Sequence, residues 1–268
     1  MTRRHLGLVV LALSVATPLA SRANQSTAAV DPIEPVVAIW YRGTPAGVPV
    51  QDELALLRAL GFSAVVWGDE QTASAREVDR LADMLGLRVV RLGDTARTLG
   101  RTLALDLVPD PVGTMPARAW LALAGGVRLI TIDAGAATGA GLHDAAGTPA
   151  PWVRVAVVLS RQVDANGELL ARLRPGPAIV QRADSPSPAR AVLLDAGRAW
   201  VLVVANPSTL AAGLVADLPR AVPFGPWVSL IDGHDMSMLV RPDVHEYRAS
   251  LAAGEARVYV IDKTGGGR

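Results

Sequence analysis

The sequence predicts an α/β protein, built as a reduced (β/α) barrel-like domain with parallel strands and then a small antiparallel β-sandwich domain. Three observations predict it. Residues 36–175 alternate short apolar runs of strand length with segments of helical periodicity, the pattern of a parallel sheet with helical crossovers. Near Pro175 the chain becomes Pro-rich, in "RPGPAIVQRADSPSPAR". Residues 176–263 then carry only strand-length apolar runs separated by turn signals, with no helical stretch between them.

The elements follow in order. Val36 to Tyr41, "VVAIWY", reads as a buried strand closed by "RGTPAG". Gln51 to Leu60 spaces Leu54, Leu57 and Leu60 as one face of a helix, and Gly61 ends it. "FSAVVW" is the second strand. Ser74 to Leu85 is a helix with Val78, Leu81, Ala82 and Leu85 on one face, stopped by Gly86. "LRVVRLG" and "RTLALDLV" are the third and fourth strands. Pro116 opens a helix to Ala124, since proline suits a first turn whose N–H groups have no partner. "VRLITIDA" is the fifth strand, and Pro151 to Leu173 a longer helix. Five strands in this span fall short of the about 250 residues that an eight-unit barrel takes. The first half is therefore a reduced barrel or an open α/β sheet. In the second half, "AVLLDAG", "AWVLVVANP", "GLVADLP", "WVSLIDG", "HEYRASLA" and "ARVYVID" read as strands, and residues 264–268 as a frayed tail.

The N-terminus reads as a targeting signal. Arg3, Arg4 and His5 precede an apolar run from Leu6 to Ala20, and Ser21-Arg22-Ala23 offers small residues for a signal peptidase. This predicts a signal peptide over residues 1–23, a linker over 24–35, and a periplasmic or secreted protein without a membrane span after cleavage. "TRRHL" fits either a twin-arginine signal or a general secretory signal carrying two arginines. The chain has 268 residues, a net charge of +1 and no cysteine. It has no basic cluster beyond the N-terminus, so nucleic-acid binding has no support. Without cysteine the fold rests on its core alone, and no thiolate zinc site can form.

Two stretches carry a resemblance. One is "RAWLALAGGVRLITIDAG…GLHDAAGTPAPWVRVAVVLSRQVDANGELLARLRPGPAIV", with Asp144, Gly147 and Pro149 in a turn before a long helix. The other is "WVLVVANPS…PWVSLIDG…SLAAGEARVYVI". Together they resemble bacterial β-galactosidases and related barrel glycoside hydrolases over Arg118 to Asp262. The resemblance implies a late barrel strand, a Gly-rich loop, a C-terminal sandwich and a carbohydrate or glycan ligand. These enzymes carry an Asn-Glu pair whose Glu is the general acid. Here Asn24, Asn166 and Asn206 precede Gln, Gly and Pro, so that motif is absent. The alternative is a non-catalytic envelope protein with a binding or a structural, assembly role.

Glycoside hydrolysis needs two carboxylates across a cleft, and in parallel α/β folds such groups sit at strand C-terminal ends. That rule selects Asp133, Glu70 and Asp106 as candidate catalytic acids. Each has a plainer reading. Asp133 can close a turn, Asp69 and Glu70 can cap the helix that follows, and Asp106 can pair with Arg101 or Arg128. Trp40, Tyr41, Arg42 and Trp67 at the first two strand ends are candidate substrate contacts, as rings on which a sugar face stacks and a cation at the rim. The plainer reading of Trp40 and Trp67 is core. "DGHD" (Asp232 to Asp235) lacks ligand partners at metal-site spacing, and "GAATGAG" fits no phosphate-binding pattern, so neither a metal nor a cofactor is expected.

Overall fold

The computed structural model describes residues 34–41, 49–67, 75–91, 104–107, 113–133, 142, 150–182, 187–223, 226–231, 235–237 and 245–264. All of them lie in the compact unit Pro32–Arg268.

The first part alternates as expected. β1 (Val36–Tyr41) leads to α1 (Val50–Leu60), β2 (Ala64–Trp67), α2 (Ala75–Leu85) and β3 (Arg88–Arg91). β4 (Ala104–Leu107), α3 (Met115–Ala124), β5 (Leu129–Asp133), α4 (Pro151–Ala165) and α5 (Gly167–Ala171) follow. α1 ends on Gly61 in the left-handed region (φ 103°), whose N–H donates to the Arg58 carbonyl while the Phe62 N–H returns to Leu57. The single helix expected from Pro151 to Leu173 is two. Asn166 turns its side-chain amide back onto the Gln162 carbonyl, which ends α4, and Gly167 starts α5.

The five strands form one parallel sheet in the order β3-β2-β1-β5-β4. The steps β1 to β2, β2 to β3 and β4 to β5 all run in one direction across it. Right-handed crossovers that never reverse direction place their helices on one side. The core agrees. Val37, Ile39, Val65, Ile130 and Ile132 cluster with the apolar faces of α1 to α4. Val36, Ala38, Ala64, Val66 and Leu129, the alternate residues, form a separate buried cluster that contains no helix residue.

The second part is antiparallel. β6 (Arg174–Pro175), β8 (Arg190–Asp195), β9 (Ala199–Ala205), β14 (Ala256–Asp262), β11 (Pro226–Ser229) and β12 (Asp235–Ser237) make a six-stranded sheet. β7 (Val180–Arg182), β10 (Ala212–Asp217) and β13 (Glu246–Leu251) make a three-stranded one. The short strands β6 and β7 lie where Pro and Gly signal only turns, because pairing with β8 and β10 decides them rather than local propensity. β12 likewise begins at Asp235, the last residue of "DGHD", and pairs with β11.

The two sheets enclose a core of Trp200, Leu202, Val204, Leu214, Ala216, Trp227, Tyr247 and Tyr259. Trp227, Tyr247 and Tyr259 meet as a trio with ring centroids 6.0–6.2 Å apart. β9 is buried on both faces. Val201 and Val203 turn away from the sandwich core and join Trp120 and Leu123 of α3 in the first one. α3 thus covers the parallel sheet with one side and the six-stranded sheet with another. Its buried set of Met115, Ala117, Ala119, Trp120 and Leu123 runs around much of its circumference, as a helix between two layers requires.

Candidate functional site

The predicted site residues divide into those the backbone brings together and those outside the described residues. Arg42 and Glu70 lie outside them, as do Asp69, His143 and His234. The others occupy the C-terminal ends of neighbouring strands. Asp133 closes β5, and its Cα partner on β1 is Trp40. Trp40 in turn pairs with Val66, and Val66 with Val90. One register row therefore reads Val90, Val66, Trp40, Asp133 across four strands. Two residues back, on the same alternation, the row reads Arg88, Ala64, Ala38, Thr131 and Asp106 across all five.

Two consequences follow for the aromatic residues. Trp40 shares its row with a carboxylate residue, whereas Trp67 pairs with Tyr41 in the next row. A one-residue step in a strand exchanges the sides of the sheet, so Trp40 and Trp67 belong to opposite alternations.

Asp133 is 6% exposed, a depth at which a carboxylate needs polar company. The row two residues back supplies small residues, with Ala38 and Ala64 wholly buried. It also supplies Thr131, which sequence reasoning passed over as part of an apolar strand. Thr131 is wholly buried and is the Cα partner of Asp106. The available signal was its spacing, since it stands two positions before Asp133 and therefore on the same alternation. Arg128, one of the arginines considered for Asp106, has the other alternation. Its guanidinium donates to the Val127 carbonyl at 3.1 Å, and burial pushes its pKa below the ordinary arginine value.

Among the described residues, no group of three or more His, Asp or Glu side chains is placed to hold a metal. Nor is any helix among them long and apolar enough to cross a membrane. A pocket of ≈ 200 Å³ lies between Ala124, Pro175, Ile179 and Leu193. It is lined by apolar residues only and sits at the C-terminal end of α3, the end of a βα unit opposite the strand tips. The chemistry-bearing residues are therefore elsewhere.

No protein-family model and no curated protein sequence matches this chain. Solved structures do resemble it. A glycoside hydrolase family 30 subfamily 8 xylanase from Clostridium acetobutylicum matches over 84% of this chain and 56% of its own, at 9% identity and a TM-score of 0.35. A family 27 β-L-arabinopyranosidase from Geobacillus stearothermophilus matches over 79% and 61%, at 10% identity and a TM-score of 0.36. A maltogenic α-amylase from Thermotoga neapolitana matches over 82% and 60%, at 10% identity and a TM-score of 0.41. The chain spans between 56% and 61% of the length of these three.

Proposed function

We propose that this chain is an exported, glycoside-hydrolase-like protein that binds or cleaves carbohydrate at the strand tips of a reduced (β/α) barrel. The observation that carries the reading is the register of β1, β5 and β4. It sets Trp40 beside Asp133 and Asp106 two residues behind, on the same alternation of the adjoining strand. An indole offers an apolar face for a pyranose ring, and carboxylates accept hydrogen bonds from its hydroxyls. Two carboxylates on neighbouring strand ends are also the minimum for acid–base hydrolysis. The reduced barrel is supported by the one-sided helices and by a strand order equal to a ring of five cut between β3 and β4.

In this reading Asp133, Asp106 and Glu70 are the acids, Trp40 and Arg42 contact the sugar, and Tyr41 and Trp67, on the other alternation, stand outside that contact. Residues 1–23 are the signal peptide, 24–35 the linker, 36–175 the barrel domain, 176–263 the sandwich domain and 264–268 the tail. N-terminal sequencing of the protein recovered from a periplasmic or culture fraction tests the export part, and Asn24 is the expected first residue.

The site is tested with cellohexaose, xylohexaose and maltohexaose in titration calorimetry, and with aryl glycosides for turnover. Wild type should bind at least one hexaose, and Asp133→Asn should weaken that binding about tenfold, the cost of a charge-assisted hydrogen bond. If wild type turns over an aryl glycoside, Asp133→Asn and Asp106→Asn should abolish the rate. Binding without turnover selects the non-catalytic alternative, which the absence of any Asn-Glu pair favours. No binding to any of the three hexaoses would count against the carbohydrate reading.

A further inference from the structure

We propose that the turn at Gly254 is a positioning element for the strand-tip site. It seats Gly113 and Thr114 at the entry to α3, so the antiparallel half sets the start of the helix that follows the Asp106 strand. The effect on a ligand rests on the reading above; the effect on the segment does not.

The contact is backbone on backbone. Gly254 lies in the turn between β13 and β14 at φ +68°. A Cβ built there would stand 2.3 Å from the Gly113 carbonyl oxygen, 2.8 Å from its carbonyl carbon and 2.9 Å from the Thr114 Cα. No side chain fits such a gap, and the obstacle cannot rotate away as a flexible side chain would. Gly113 is itself left-handed at φ +75°. It belongs to the connection that leaves β4, the strand carrying Asp106, and enters α3. In a βα unit the helix N-terminus stands at the strand's C-terminal end, the end proposed for the site.

The turn is the braced partner. The Gly254 N–H donates to the Ser208 carbonyl at 3.2 Å, and the Ala252 N–H to Glu255 Oε2 at 2.7 Å. Asn206, wholly buried, donates from Nδ2 to the Ala252 carbonyl at 2.9 Å and from its N–H to the Glu255 carbonyl at 2.9 Å. Arg257 holds Glu255 from the other side at 2.6 Å. Farther along α3, Trp120 and Leu123 are anchored against β9. A side chain added at Gly254 therefore displaces Gly113 and Thr114, where the chain enters α3.

Gly254→Ala is compared with Gly197→Ala. Gly197 is also left-handed (φ +81°), but nothing lies within 4 Å of its added Cβ. Both variants meet the left-handed strain, and only the first meets another segment. Hydrogen exchange on the ligand-free full chain should rise about tenfold in peptides covering 104–118 of Gly254→Ala, with peptides of β9 unchanged. Gly197→Ala should leave 104–118 as in wild type. Unchanged exchange at 104–118 in Gly254→Ala, or the same rise in both variants, would overturn the proposal. Where wild type binds a hexaose, Gly254→Ala should weaken it about tenfold and Gly197→Ala should not. Equal affinities despite altered exchange would sink the link to the site. Should wild type bind none of the three hexaoses, the carbohydrate reading fails, and the exchange comparison still decides the positioning.

Discussion

Trp40 and Asp133 are Cα partners across the parallel pair of β1 and β5, on the last row that β5 contributes. A ring and a carboxylate on one row can meet one sugar together, whereas Trp67 is paired a step further on with Tyr41. Trp40→Ala is expected to weaken hexaose binding about tenfold, and Trp67→Ala by less than about twofold. Calorimetry on both variants checks this, and equal losses would show that the register does not select the ligand-facing ring.

α3 is shared by two sheets, and Trp120 is its largest buried side chain. Trp120→Ala should remove about 4 kcal/mol of stability, because neither layer can collapse into the space without breaking the other. That corresponds to a fall in melting temperature of about 10 °C for a chain of this size. Trp120→Phe should cost far less, since the indole N–H has no hydrogen-bond partner to lose. Thermal unfolding followed by circular dichroism separates the two.

Asn206 is a wholly buried amide with both ends in use. Nδ2 donates to the Leu210 carbonyl at 2.7 Å and the Ala252 carbonyl at 2.9 Å, while Oδ1 accepts from the Ser208 hydroxyl at 2.7 Å. Alanine removes these three bonds together and leaves a gap where the buried amide stood, at a cost of about 2–3 kcal/mol. Asn206→Asp should be at least as damaging at neutral pH, because a carboxylate would then face the same carbonyls. Urea unfolding of both variants gives the comparison.

Burial, reinforced by the Tyr259 hydroxyl at 3.5 Å, pushes the Tyr247 phenol above its ordinary pKa. The folded protein then holds this proton more tightly than the unfolded chain, whose tyrosines ionise near pH ~10. The contribution to stability is complete below that pH and is lost as pH rises through and beyond it. The melting temperature should fall more steeply between about pH 9 and 11 in wild type than in Tyr247→Phe. Parallel slopes would place the alkaline sensitivity on other groups.

The local chemistry of the chain determined its elements and where they change character. Apolar runs of four to six residues between glycine-stopped helices could only be strands of a covered parallel sheet, and Pro175 marks the passage to antiparallel pairing. The position of Asp133 at a strand tip was legible because "LITID" runs straight into small turn-forming residues. Strand order and register were not legible, because periodicity is a property of one segment and pairing is a property of two. Only the tertiary structure put Trp40 on the row of Asp133, set Thr131 against Asp106, and shared α3 between two sheets. The contact of Gly254 with Gly113 belongs to the same class. Both glycines are visible in the sequence, but the reason Gly254 cannot carry a side chain is a distance between two backbones that only folding creates.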